Sequence, residues 1–207
     1  VRGVVRVSAP DGFASFILTP AAARVREEHP NVSIEIVTTT RRALQQRSDI
    51  DLEIVVGEPQ VNRAETSQLC EYTFGLYASK SYLKRNVAPT DLTTLGQHPL
   101  IYFADTMLQV DALDMLQDFD VERQETISGS STFVHVEATR AGAGIGLLAG
   151  YMATRHRELV RIMEDIVNIS LSYWMVSRRD TLQRPEVATM VRALRAQVRE
   201  MRTDLLG

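Results

Sequence analysis

Three groups of small polar side chains sit where strand-like runs give way to helix-like ones. They are Ser8 with Asp11 and Gly12, Thr38 with Thr39 and Thr40, and Ser128 through Thr132. Such junctions bind carboxylates without any catalytic group, because the first N–H groups of a helix have no partner in that helix and a hydroxyl adds a further donor. The same residue types also cap helices, and Asp11, Thr40 and Ser131 suit that role as well; the two roles are compatible. Asp11 complicates an anion site. Turned inward, its carboxylate repels an anion or accepts from a donor on the ligand. Turned back on its own helix, it leaves Arg41 or Arg42 to supply positive charge.

Covalent and hydrolytic chemistry has little to work with. No G-x-S-x-G elbow occurs, and Gly129-Ser130-Ser131 has no identifiable base. His29, His98, His135 and His156 are widely spaced. His135 and Glu137 are close, but a helix puts them on different faces, and His29 and His98 immediately precede Pro. Glu164-Asp165 reads as solvated surface charge. No catalytic residue, metal site or cofactor is expected, and the chain is read as not an enzyme.

The cluster Gly142-Ala143-Gly144-Ile145-Gly146-Leu147-Leu148-Ala149 has the spacing G-x-G-x-x-A from Gly144, with Glu164 about twenty residues on. A dinucleotide turn follows a buried strand, whereas Glu137-Ala138-Thr139-Arg140-Ala141 favours helix. The better reading is that Gly142 or Gly144 ends a helix in the left-handed region before a short strand.

The elements that must position these groups follow from periodicity. Val4 to Val7 alternates and is rich in β-branched residues, then Ser8-Ala9-Pro10-Asp11-Gly12 makes a loop. Phe13, Ile17, Ala21 and Val25 recur at helical spacing until His29-Pro30-Asn31 stops them, and Val32 to Val37 reads as a strand. A βαβ unit at the start implies a parallel sheet with its functional loop at the carboxyl end of the first strand. Further along, helix is expected at 41–47, strand at 50–56, surface loop at 58–68 and a long strand at 69–78. A second α/β set follows: strand 99–103, helix 107–119, strand 125–128, helix 132–141 and strand 145–148. A long strand at 170–177 precedes a last helix opened by Pro185, whose apolar side runs through Val187, Val191, Leu194, Val198, Met201 and Leu205.

The 207 residues, 44% apolar, suit one large domain or two small ones, and 23 basic against 26 acidic residues leave a net charge of −3. That balance argues against this piece gripping a phosphate backbone itself. Cys70 is alone, so no disulfide framework is expected; a reducing compartment fits. Nothing resembles a signal peptide or a membrane span, and the reading is a cytoplasmic protein with no membrane partner.

The chain resembles the effector-binding domain of LysR-type transcriptional regulators. The resemblance rests on Arg6-Val7-Ser8-Ala9-Pro10, Glu28-His29-Pro30-Asn31-Val32, Asp51 to Gly57, Leu76 to Leu83, Gln97 to Ile101 and Val136 to Leu148, six segments in the family's order. It implies an α/β fold of two Rossmann-like subdomains with two crossover strands, the type 2 periplasmic-binding-protein-like architecture. Residues 1–74 with 174–207 form one subdomain and 75–173 the other. The family's winged helix-turn-helix and linker helix would precede Val1, and nothing in this chain resembles them.

The implied function is to bind a small organic effector in the cleft between the lobes and shift their arrangement, within a homodimer or tetramer that touches DNA only through the missing N-terminal domain. By resemblance, effector contacts come from the first-strand loop, the Thr-bearing loop after strand two, and the loop near Tyr102-Phe103. The expected set is Ser8, Asp11, Gly12, Thr38, Thr39, Tyr102, Phe103, Ser131 and Thr132. The family usually has proline after the position of Leu148, where this chain has Ala149-Gly150. The alternatives are a stand-alone solute-binding protein of a transporter, which has the same architecture, and an enzyme with a nucleotide cofactor, supported by the glycine cluster alone.

Overall fold

The computed structural model describes residues 1–38, 49–103 and 126–207. These form two compact units, Val1–Glu71 with Ser172–Thr203 and Tyr72–Leu171 with Asp204–Gly207. The expected helices at 41–47 and 107–119 lie outside the described residues, as do Thr39, Thr40, Arg41 and Arg42.

In the first unit, β1 (Gly3–Ala9) leads into a helical stretch of α1 (Asp11–Phe13), a π turn (Ala14–Leu18) and α2 (Thr19–Glu28), then β2 (Val32–Thr38). β1 pairs in parallel with β2 on one side and with β3 (Leu52–Val56) on the other, so the initial βαβ reading holds. The π turn has a sequence cause. Pro20 carries no N–H to give the carbonyl four residues back, and its ring crowds that carbonyl. The helix widens instead, and the Thr19 N–H reaches the Ala14 carbonyl, five residues earlier. His29 ends α2 at φ −133°, ψ 76°, the extended side of backbone space that a residue before proline prefers.

β4 (Glu65–Ser79) and β8 (Asn168–Ser177) are long strands that pass from one unit into the other. β4 begins at Glu65, inside the stretch read as surface loop. Glu65, Thr66 and Gln68 are exposed there, and a strand with wet residues leaves no apolar alternation to read. β8 closes the first unit by pairing antiparallel with β3, so the order there is β2-β1-β3-β8.

After β8 come α7 (Arg179–Leu182), α8 (Pro185–Glu200) and α9 (Arg202–Leu206). Pro185 takes the first helical position, as expected. α8 packs on α2 and β1, with Arg24 in an ion pair to Glu200 at 2.6 Å. Its buried face includes Val187, Met190, Leu194 and Val198; Met190 is sealed where Val191 was expected and Val191 is half-buried. The helix breaks at Met201 (φ −88°, ψ 6°), and Asp204–Gly207 belongs to the second unit.

The second unit has the strand order β7-β4-β6-β5, with β5 Leu100–Ile101, β6 Ile145–Ala149 and β7 Leu159–Ile162. β4 runs antiparallel to β6 and β7, and β5 parallel to β6. The strand expected at 99–103 shortens to two residues, and within the expected strand at 125–128 the described part makes a single bridge, Tyr102 to Ser128. The helices of this unit are α3 (Lys80–Leu83), α4 (Leu92–Leu95), α5 (Thr132–Arg140) and α6 (Gly150–Ala153). α4 is held by a capping box between Asp91 and Thr94.

Candidate functional site

Four of the expected residues belong to the first unit. Parallel pairing sets Ser8 opposite Val37 and Ala9 opposite Thr38, so both strands finish at one edge of the sheet. Ser8, Asp11, Gly12 and Thr38 gather along that edge. Ser8 is 1% exposed, and its Oγ is buried with no hydrogen-bond partner. β1 lies between β2 and β3 in the sheet. An uncompensated buried hydroxyl destabilises a fold by about 1–3 kcal/mol, so its presence needs a reason beyond packing.

Asp11 stands inside the first helical turn, and its Oδ1 accepts the Gly12 N–H at 2.8 Å. One oxygen of the carboxylate thus meets the first turn of its own helix. Gly12 is buried and Thr38 is exposed. Thr39 lies outside the described residues.

The other four belong to the second unit. Tyr102 is buried and bridges to Ser128, Phe103 follows it, and Ser131 and Thr132 open α5. Ser131 occupies the N-cap position with no side-chain cap hydrogen bond, so the capping role open to it from sequence is not filled in that form. His135 ties this set together. Its Nε2 meets the Gly129 carbonyl at 2.8 Å and its ring packs edge-on against Phe103, centroids 4.6 Å apart. Sequence reasoning assigned His135 no part here. The one available signal was its place beside Val136, Ala138 and Thr139 on the buried side of α5.

The glycine cluster resolves as structure. Gly142 has φ +78°, the Ala143 N–H reaches the Ala138 carbonyl and the Gly142 N–H reaches the Thr139 carbonyl, a Schellman ending to α5. Gly144 and Gly146 are close-approach positions. An added Cβ would lie 2.3 Å from the Pro99 carbonyl oxygen at the first and 2.1 Å from Thr139 Oγ1 at the second. The cluster therefore follows a helix and feeds a strand, the reverse of a dinucleotide turn.

Among the described residues no group of three or more His, Cys, Asp or Glu side chains is placed to hold a metal ion. Burial pushes the Cys70 thiol up to about 12, so it stays protonated at neutral pH and is a poor nucleophile. No described helix is long and apolar enough to cross a membrane.

The family model described as LysR substrate binding domain matches residues 1–199. No match was found among curated proteins. Among solved structures, the regulatory domain of CrgA, a LysR-type transcriptional regulator from Neisseria meningitidis, superposes with a TM-score of 0.82 at 17% identity, covering 96% of this chain and 100% of that one. Full-length AphB, the Vibrio cholerae virulence activator, gives 0.76 at 20% identity over 93% of this chain and 68% of that chain. The effector domain of AmpR from Pseudomonas aeruginosa gives 0.76 at 18% identity, covering 97% and 98%. At such identities the structures carry the fold, and the sequence model carries the family. The fold is the type 2 periplasmic-binding-like α/β architecture expected from the sequence.

Proposed function

We propose, from the premise that this chain belongs to the LysR substrate-binding domain family, that it senses a small polar or carboxylated organic molecule through the hydroxyl-bearing strand ends. The chain is a ligand-sensing regulatory domain of the LysR type. The contacts assigned to the effector are Ser8, Gly12 and Thr38 in the first unit and Tyr102, Phe103, Ser131 and Thr132 in the second, with Thr39 as a further contact outside the described residues. Asp11 serves as an acceptor for a donor group on the ligand, next to the helix start that it partly neutralises. The observation that carries the reading is the buried, unpartnered Ser8 Oγ at the carboxyl end of β1. A ligand acceptor or donor there completes a group that the protein leaves unpaired. The effector then regulates only to the extent that it binds one arrangement of the domain better than another.

Ser8→Ala tests this directly. Removing an unpaired buried hydroxyl should leave the melting temperature of the free domain unchanged or slightly raised. A hydrogen bond of about 0.5–1.5 kcal/mol lost to the ligand should weaken effector affinity by roughly two- to twelvefold. The titrant is any small carboxylate that raises the melting temperature of the unaltered domain in a panel, followed by calorimetry on both forms. Equal affinities would move the effector away from β1, and a lowered melting temperature would assign the hydroxyl to holding the fold.

The same reading makes the domain a homodimer or tetramer, working in the cytoplasm, with DNA contact left to a segment outside these residues. Among the described residues β2 is the edge strand of the first unit, and the helical stretch 13–28 offers the companion surface. Two-fold pairing is the commonest assembly and suits operators with two half-sites. Light scattering at high micromolar concentration should give twice the 23.2 kDa chain mass or a multiple of it; a monomer there would remove the dimer from the scheme.

A further inference from the structure

A second set of unpaired polar atoms lies within the second unit, on one face of β4. Thr73, Gly75 and Tyr77 alternate onto the same side of that strand, and Arg161 of β7 stands directly opposite Tyr77 in the antiparallel register. Arg161 leans across Gly75: an added Cβ at Gly75 would lie 2.8 Å from its Nε and 3.1 Å from its Nη2. The absence of a side chain at 75 is what lets the guanidinium lie against the strand.

Two donors in this cluster are buried and without a partner, Arg161 Nε and Thr73 Oγ1. Each carries the desolvation penalty of an unmade hydrogen bond. They converge with a third. A Cβ at Gly150, the first residue of α6, would lie 3.0 Å from Thr73 Oγ1 and 3.5 Å from the Tyr77 hydroxyl, so both hydroxyls border the ground left open by that glycine. Burial raises the Tyr77 pKa further, which keeps its hydroxyl a donor at neutral pH.

The outer edge of the guanidinium shows what kind of group it accepts. Arg161 Nη2 donates to Asn168 Oδ1 at 2.8 Å, and Nη1 lies 3.3 Å from Glu164 Oε1. The Arg161 side chain is 19% exposed and that of Glu164 66%. A long contact to a largely exposed carboxylate is a weak one that can be exchanged. The planar guanidinium fork matches a carboxylate in geometry as well as charge.

We propose that Arg161, with the Thr73 and Tyr77 hydroxyls, forms a second binding site for a small carboxylate inside this unit, and that Glu164 is its displaceable internal occupant. The incoming carboxylate takes the place of Glu164 at Arg161 Nη1 and supplies the acceptor that Thr73 Oγ1 lacks. The site uses none of the residues assigned to the effector above, so it stands or falls by itself.

Acetate is the probe, followed through the Arg161 Nε–H signal in nitrogen–proton NMR and identified by its loss in Arg161→Lys. The signal should move saturably with acetate. Glu164→Gln, which removes the internal competitor at an exposed position, should tighten binding by about two- to fivefold. Thr73→Val should weaken it by about two- to tenfold, without lowering the melting temperature, because the lost hydroxyl had no partner. A response that stays linear into molar acetate overturns the proposal, as does acetate binding equal to the unaltered domain in both Glu164→Gln and Thr73→Val. Should Arg161→Lys fail to fold, these last two variants still decide the matter, since both retain the signal being read.

Discussion

Asp51→Ala should lower the stability of the domain by about 1–3 kcal/mol, the scale for leaving a buried N–H without its acceptor. Asp51 is 7% exposed and both of its carboxylate oxygens are engaged. Oδ1 receives Arg184 Nη1 at 2.6 Å and Oδ2 receives the Arg6 backbone N–H at 2.9 Å. Its own N–H donates to the Arg6 carbonyl, and its carbonyl accepts the Ser177 hydroxyl at 2.6 Å. Arg184 carries the connection onward, giving Nη2 to the Val4 carbonyl and to Glu186 Oε1, both at 2.8 Å. Asp51, through its side chain and backbone together, thus fastens β1, the approach to β3, the end of β8 and the start of α8. Arg184 is 41% exposed, so solvent screens part of the attraction. The larger share of the effect is the orphaned N–H of Arg6, since Arg184 keeps its bonds to Glu186 and the Val4 carbonyl. Asp51→Asn keeps one acceptor and should cost less. Urea denaturation of the two variants reads the difference, and a loss under about 1 kcal/mol for Asp51→Ala, the scale of an exposed ion pair, would show that the network is ornamental.

Gly146→Ala should destabilise by about 1–3 kcal/mol through overpacking, and Thr139→Ala in the same chain should restore much of it. A Cβ at 146 would meet Thr139 Oγ1 at 2.1 Å, and that hydroxyl is not free to swing away, because it donates to the His135 carbonyl at 2.7 Å. Deleting the hydroxyl removes the obstruction at its source, so the two changes should be strongly non-additive. Gly144→Ala has no such remedy. Its obstruction is the Pro99 carbonyl oxygen, which also accepts the Ile145 N–H at 2.9 Å and is therefore part of the β5–β6 join. Denaturation midpoints of the three variants are the measurement. A stable Gly146→Ala would mean that α5 and β6 separate more readily than their spacing indicates.

The parts legible from sequence were those with a period. β1, the helical stretch to Glu28, β2 and α8 all repeat at two or at three to four residues over a length that makes the pattern plain. Four-residue helices such as α3, α4 and α7 are too short to show one, and the polar opening of β4 has no apolar face to alternate. The π turn was hidden for a different reason. Phe13, Ile17 and Ala21 still fall on the buried side, so widening the helix left the apolar spacing undisturbed.

Candidate site residues were legible by kind, as hydroxyls at strand ends. That the Ser8 hydroxyl is buried without a partner depends on what packs against the face of β1, and no local pattern encodes it. The same holds for the pairing of Asp51 with Arg184, 133 residues apart. Long-range pairings of polar groups leave no periodic trace.

The crossing of β4 and β8 between the units has a consequence for how the chain is completed during synthesis. The second unit is nearly continuous, with residues Tyr72–Leu171 forming all but its last four positions. The first is split, and its closing contacts join Asp51 to Arg184 and Arg24 to Glu200, the latter 176 residues apart. Domains form as their residues leave the ribosome, and distant contacts come late because the intervening loop must first be closed. The unit that begins first therefore closes only after nearly all of the second has emerged. Until Ser172–Thr203 emerges, β3 has a vacant edge and the face of β1 that α8 covers is bare, so that interval is when a nascent chain is most exposed to mispairing with another copy.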